Sequence, residues 1–519
     1  MLWIALHLPA LSLEAFAATL PATLTAGANA ATAPLALMDA RALVAVNAAA
    51  RAFGLQPGMK RATALGLVPQ LVLGPVDAAR DAAALDAVVH AALAFTPQVS
   101  CQGGSAPDAP PDTVLLEVQA SLRCFGGPGR QLPLLLRRLQ ATLAPLGHRL
   151  QVVSAPTPLG AALLARVQHG LHCADGPALQ RALDTTPVWL LGPGREHWDA
   201  LQGMGLRTLG ELRRLPRAGL ARRFGDGLLD EIDRAYGQRP DPRVPVVLPA
   251  AFDSRLELFA RADTTEQVLR GAEVLLARLV AWLDAQHALV RRCTLQMQHE
   301  SRWRRDTRTP EATALEIALA EPSRDAMHLR VLLRERLASL PLPAPTIELR
   351  LQAHDIARQA APNGELFPSA ASEREGLVRL IERLQARLGP ARVRRLQRLS
   401  DHRPERAGAT RPVADPAPSP ASTAGAPAAP LPVRPVWMLW PPEPLHERLA
   451  RPLLDGRPLQ LLSGPERIES GWWDGALAER DYFIAQATDG ALVWIYRARL
   501  PPAESDAEGA GWFLQGRFA

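Results

Sequence analysis

Met1-Leu2-Trp3-Ile4-Ala5-Leu6-His7-Leu8-Pro9 opens the chain, and the reading of this run decides the fold. An apolar N-terminus can be a secretory leader. This one has no Lys or Arg ahead of its apolar stretch, and His7, Pro9 and Glu14 interrupt it. Met1–Leu8 therefore reads as a first, buried β-strand. Further along, Thr113–Val118 and Arg149–Ser154 read as short strands, and Asp81–Phe95, Gln131–Leu143 and Leu159–Val167 as helices. Ala31–Leu73 carries a helical pattern of its own. That alternation predicts a ferredoxin-like βαββαβ domain.

The 519 residues leave room for several domains of about 100–200 residues each. With 48% hydrophobic and 21% charged residues, the chain is neither wholly disordered nor a coiled-coil rod nor a small disulfide scaffold. Cys101, Cys124, Cys173 and Cys293 form no CxxC pair, so neither a zinc framework nor a disulfide plan is expected, which fits a reducing cytoplasm. No stretch of about 18–20 uncharged apolar residues appears, and no membrane span is expected. The net charge of +6 favours a nucleic-acid partner. Nearly all the positive charge is arginine, a residue suited to phosphate forks, although codon bias produces the same excess. Nine prolines from Pro404 to Pro435, interleaved with Ala, Ser and Thr, predict an extended linker. Beyond it lie six of the eleven tryptophans: Trp437, Trp440, Trp472, Trp473, Trp494 and Trp512.

Four local stretches carry a family resemblance. Asn47-Ala-Ala-Ala-Arg51-Ala-Phe-Gly54-Leu-Gln-Pro-Gly58-Met59 ends a helical pattern in a Gly-x-x-x-Gly-Met turn. Leu116-Glu-Val-Gln-Ala-Ser-Leu-Arg-Cys-Phe-Gly126 is a strand and its turn. Val188-Trp-Leu-Leu-Gly192-Pro-Gly194 and Gly203-Met204-Gly205-Leu-Arg207-Thr-Leu-Gly-Glu-Leu212 are glycine-centred helical turns. In this order, over about residues 1–358, they resemble the Y-family translesion DNA polymerases. The resemblance implies an α+β multidomain fold. A ferredoxin-like palm (1–171) would carry a fingers insert at about 12–75, followed by a helix-hairpin-helix thumb (172–247) and an α+β little finger (248–358). A clamp-binding motif with a basic helix (359–403), the proline-rich linker (404–435) and a Trp-rich C-terminal interaction domain (436–519) would complete the chain.

Phosphoryl transfer by such an enzyme needs carboxylates that hold two metal ions about 3.5–4 Å apart. His7 and Pro9 stand at the positions matching the family's first acidic motif, and Asp112 and Thr113 at the second. Magnesium takes hard oxygen ligands; histidine is a poor substitute and proline has no ligating side chain. Ser12 stands at the family's aromatic sugar gate and Ala48 at the tyrosine that meets the triphosphate, while Arg51 is kept. No catalytic residue, metal or cofactor is therefore expected. The rival reading is an active Y-family polymerase with atypical metal ligands, which a cluster of carboxylates around His7 and Asp112 would favour. The tail sharpens the resemblance. Ser463-Gly-Pro-Glu-Arg-Ile-Glu-Ser-Gly-Trp472-Trp473-Asp474, Arg480-Asp-Tyr482 and Trp512-Phe-Leu-Gln-Gly-Arg-Phe518 are similar to the tail of the ImuB family, catalytically degenerate Y-family relatives in bacterial mutasomes. This resemblance implies a scaffold of SOS mutagenesis whose partners are damaged primer–template DNA, the sliding clamp, ImuA and an error-prone C-family DNA polymerase.

Five surfaces are candidates for binding. Gly203 and Gly205 would let a phosphate approach and present backbone N–H groups, with Arg207, Arg213 and Arg214 nearby; a purely structural helix corner is the plainer reading. In the little finger, Arg291-Arg292 and Arg302-Trp-Arg304-Arg305 flank a hairpin and suit a phosphate track. That region is nearly neutral, with sixteen basic and fifteen acidic residues, so a solvated hairpin tip is the alternative. Residues 372–411 hold eleven arginines against five acids, and Leu377, Leu380, Ile381, Leu384 and Leu388 predict a docked basic helix that faces DNA or an acidic protein. Asn363-Gly364-Glu365-Leu366-Phe367 resembles the clamp-binding pentapeptide, with Leu366 and Phe367 entering an apolar pocket. Trp472 and Trp473 cannot both face inward on one strand, so one is expected at a partner surface.

Overall fold

The structure is a computed structural model that describes residues 1–21, 24, 33–103, 110–127, 129–300, 310–358, 370–413, 415, 434–499 and 511–518, with the backbone alone for 370–375. The chain forms two units, Met1–Arg387 and Leu388–Ala519. The first strand, β1 (Trp3–His7), is buried along its whole length. It is apolar on both faces because it feeds two cores. Trp3 and Ala5 point into one with Leu115 and Val153, and Ile4 and Leu6 into the other with Val114 and Leu116.

After α1 (Leu11–Ala17) comes an insert of β2 (Leu35–Met38), β3 (Leu43–Val46), α2 (Ala48–Ala52), α3 (Arg61–Leu67) and β4 (Val72–Pro75). Its three strands make a small sheet in the order β3-β2-β4, where the sequence pattern had indicated helix alone. Runs of four apolar residues fit either period, and only their pairing makes them strands. Asn47 caps α2 by accepting from the Ala50 N–H, and Gly54 and Gly58 take positive φ in the turns that follow. Next come α4 (Ala78–Leu93), β5 (Val99–Gln102), β6 (Thr113–Glu117), α5 (Gln131–Leu143), β7 (Gln151–Ala155) and α6 (Pro158–Val167). The palm sheet runs β5-β6-β1-β7 with every pairing antiparallel, the ferredoxin-like arrangement.

Six short helices form the thumb: α7 (Gly176–Asp184), α8 (Gly192–Glu196), α9 (Trp198–Gly203), α10 (Leu209–Arg213), α11 (Arg217–Phe224) and α12 (Asp226–Tyr236). The little finger follows as β8 (Phe252–Ala262), α13 (Thr265–Gln286), β9 (Leu289–His299), β10 (Ala312–Ser323), α14 (Ala326–Ala338) and β11 (Thr346–Ala357), with strand order β10-β9-β11-β8. Helices α13 and α14 share one core with Leu256, Leu295 and Leu349. On its other side α13 packs against α4, and Ala281 joins the palm core. Arg278, buried at this junction, donates to Ser254 Oγ and the Arg255 carbonyl, each at 3.2 Å. Burial lowers its pKa to about 10, with the charge of Asp86 opposing the shift.

Helix α15 (Ala370–Leu388) corrects two expectations. It stops at Leu388 instead of running toward 411, and its leucine stripe is not its docked side. Leu377, Leu380, Leu384 and Leu388 are exposed, while Glu382 and Ala386 are buried. A polar pair holds the helix down: Glu382 Oε2 lies 2.7 Å from His328 Nε2, and Glu382 Oε1 accepts the Ala320 N–H at 2.6 Å.

The second unit starts with a two-stranded hairpin, β12 (Arg394–Arg398) and β13 (Gly408–Pro412). Residues 404–412, expected in the linker, thus include a paired strand. Seven strands then form one sheet: β14 (Trp437–Arg448), β15 (Arg451–Leu454), β16 (Arg457–Pro458), β17 (Gln460–Ser470), β18 (Ala478–Gln486), β19 (Leu492–Ala498) and β20 (Trp512–Arg517), in the order β16-β15-β14-β20-β19-β18-β17. Trp494 and Trp512 are core residues; Trp437, Trp440, Trp472 and Trp473 are exposed.

Candidate functional site

The palm motif sits where β1 and β6 end side by side, with His7 directly opposite Thr113. The His7 ring nitrogen Nδ1 is 3.1 Å from Thr113 Oγ1, and that hydroxyl donates to Asp112 Oδ1 at 2.8 Å. The same carboxylate oxygen receives Arg166 Nη2 at 2.6 Å, and Arg166 also donates to the Gly103 carbonyl at 2.9 Å. Burial alone would raise the Asp112 carboxyl. The nearby His7, the Arg166 charge and the Thr113 hydroxyl outweigh burial and hold its pKa below the ordinary aspartate value. The acid at this corner is therefore neutralised by an internal cation. Pro9 lies in an exposed turn, and among the described residues no group of three or more His, Cys, Asp and Glu side chains could hold a metal ion. Arg166 is the residue that sequence reading missed. It lies 54 positions from Asp112, and only the sheet brings the two together.

The thumb turn joins α9 to α10 and departs from the expected N–H cradle. Gly205 has φ of +79° and donates to the Gln202 carbonyl at 2.9 Å, and Leu206 donates to the Leu201 carbonyl at 3.0 Å. The N–H groups of Arg207 and Thr208 both go to Glu211 Oε2, at 2.7 and 3.0 Å, in a capping box. These turn amides are engaged within the protein, so a phosphate would meet side chains. Arg213 lies over the Tyr236 ring and near Asp184. Arg207 and Arg214 stay exposed, with the Arg207 charge acting on the nearby Glu211 carboxylate.

In the little finger, Arg291 and Arg292 are exposed on β9 at the end away from the β9–β10 connection, and Arg292 pairs with Glu316 at 3.1 Å. Arg304 and Arg305 lie outside the described residues, as do Asn363, Gly364, Glu365, Leu366 and Phe367. The open face of the sheet is polar and largely self-paired: Arg350 grips Asp253, and Gln296 bonds Gln352 at 3.3 Å.

Trp472 and Trp473 lie in a turn after β17, not on a strand, so both are exposed, at 79% and 57%. They meet edge to face at 5.4 Å. The turn is held from behind by the buried Arg403, whose guanidinium pairs with Asp401 at 2.8 Å and Asp474 at 2.7 Å, donates to the Ala476 carbonyl at 2.9 Å and lies over the Trp473 ring. Arg480 to Glu405 at 3.0 Å adds a second tie. A rigid aromatic pair costs little ordering entropy on contact with a partner.

The impB/mucB/samB family model matches residues 13–166. Protein ImuB from two strains of Caulobacter vibrioides is 30% identical over 486 residues, covering 90% of this chain and 100% of each relative. The chain belongs to the ImuB family. Among solved structures it is similar to a Dbh ternary complex, at 16% identity and a TM-score of 0.38 over 69% of this chain and 99% of that one. It is also similar to DinB from Sulfolobus solfataricus, at 15% identity and a TM-score of 0.35 over the same shares. Membership of the ImuB family supports a role related to translesion synthesis, and the seven-stranded C-terminal β-module lies beyond the segment that the family model matches. Among the described residues no helix is long and apolar enough to cross a membrane.

Proposed function

We propose that this chain is a non-catalytic, DNA-associated scaffold of error-prone translesion synthesis. It holds primer–template DNA through the thumb and little finger, docks on the sliding clamp through Asn363–Phe367, and recruits ImuA and an error-prone C-family polymerase through a tail anchored on Trp472 and Trp473. Its contribution is raised effective concentration of the partners at the lesion. The observation that carries the reading is the palm corner, where His7 and Pro9 stand at carboxylate positions and the remaining Asp112 is bound to Arg166 at 2.6 Å. A carboxylate already paired with an internal guanidinium, beside a histidine and a threonine, lacks the anionic charge that two divalent ions require. The test is primer extension by the purified chain on a primed template with magnesium or manganese. No incorporation is expected. Template-dependent incorporation that Asp112→Ala removes would overturn the reading.

A further inference from the structure

We propose that the β12–β13 hairpin is a second contact to the DNA backbone, separate from the thumb and little finger. The hairpin lies in the segment that the sequence reads as a basic helix, and as a hairpin its charge is arranged differently. Residues 392–411 hold seven arginines and two acids. Both acids are used inside the unit, Asp401 by Arg403 and Glu405 by Arg480. Arg403 to Asp474 and Arg480 to Glu405 tie the hairpin tip to the seven-stranded sheet and its turn, and the arms carry the remaining arginines.

On the arms, Arg394, Leu396 and Arg398 alternate onto one exposed face, with Leu396 88% exposed. On the other face Arg395 is directly opposite Arg411. Like charges facing each other across a strand pair are destabilising, and a two-stranded sheet has little stability to spare. Among the described residues none of Arg392, Arg394, Arg398 and Arg411 has a carboxylate partner; Arg394 donates to the Thr410 carbonyl and Arg395 to the Asp415 carbonyl. Packing does not explain this arrangement, because exposed guanidiniums stabilise no core. A polyanion laid along the arms relieves the repulsion between Arg395 and Arg411, and its charges meet the guanidiniums that have no carboxylate partner among the described residues. A phosphate backbone supplies charge at regular steps along a line, as the strand supplies arginines.

The test uses the full chain and labelled single-stranded and duplex oligonucleotides, with affinity measured over a range of salt. Arg394→Ala/Arg398→Ala/Arg411→Ala should lower the slope of log affinity against log salt by about 2 on the single strand and about 3 on the duplex, because each lost phosphate contact removes about 0.7 or 0.9. The corresponding triple Arg→Lys variant should keep the wild-type slope, because the slope counts charges. An unchanged slope in the Ala variant, with a reduced slope in Arg207→Ala, overturns this inference and leaves the proposed scaffold function standing. Equal losses in the Ala and Lys variants also overturn it, since shape and not charge would then be at work. Intact DNA binding with lost co-purification of the protein partners reassigns the hairpin to an acidic protein surface. A wild-type chain that binds neither oligonucleotide overturns both this inference and the DNA-associated reading.

Discussion

At residue scale the palm corner shows how much a strand end reveals. His7 at the end of β1 and Pro9 in the turn after it were legible as positions, because the first strand can be read from the sequence alone. Arg166 was not legible, because its partner is set by the register of β6 and the position of α6 and not by any local pattern. The pair makes a prediction with a definite sign. The folded pKa of Asp112 lies below its ordinary value of 3.8, so the pair's contribution is fully present above that value and is lost as pH falls through the lower, folded one. Arg166→Ala should cost about 2 kcal/mol at neutral pH, the scale of a hydrogen bond to a charged group. Denaturant titrations near neutral pH and again near pH 3 check this, where "near 3" is about one unit below the ordinary carboxylate value. The deficit should narrow in acid, and an unchanged deficit would mean that Arg166 acts by packing.

At the scale of elements, α15 shows where periodicity misleads. The pattern of leucines located the helix but could not say which side it docks on. A buried Glu382–His328 pair and the Ala320 N–H hold the opposite face, because unpaired polar groups in a core cost more than exposed leucines. Glu382→Ala should therefore destabilise the first unit by about 3 kcal/mol, leaving His328 and an N–H without partners. Leu380→Ser should stay within about 0.5 kcal/mol. Thermal melts of the two variants check the contrast, and a larger loss from Leu380→Ser would restore the leucine face as the docked one. The insert's strands were hidden for another reason: four-residue runs carry no readable period. The proposed clamp motif belongs to this scale as well. Leu366→Ala with Phe367→Ala should abolish binding to purified clamp while leaving the melting curve unchanged, and unchanged affinity would reject the site.

At the scale of the molecule, the composition shift at the prolines located two parts but put their boundary too late. Arg403, Glu405 and Arg406 lie at the start of the proline run, yet all three bind residues beyond it, Asp474 or Arg480. A cut after Arg387 should yield a cooperative, soluble first unit, whereas a cut before Pro412 leaves the hairpin residues without their partners. Limited proteolysis of the two truncated proteins should show the second trimmed back toward 388 and the first resistant. The proposed scaffold function rests on the separation of chemistry from assembly. The direct measurement is lesion bypass on a primed, damaged template with the clamp, ImuA and the error-prone polymerase, comparing the wild-type chain, Asp112→Ala and no chain. Bypass should require the chain and proceed as well with Asp112→Ala as with wild type. A folded Asp112→Ala variant that fails to support bypass would place chemistry in this palm and contradict the scaffold account.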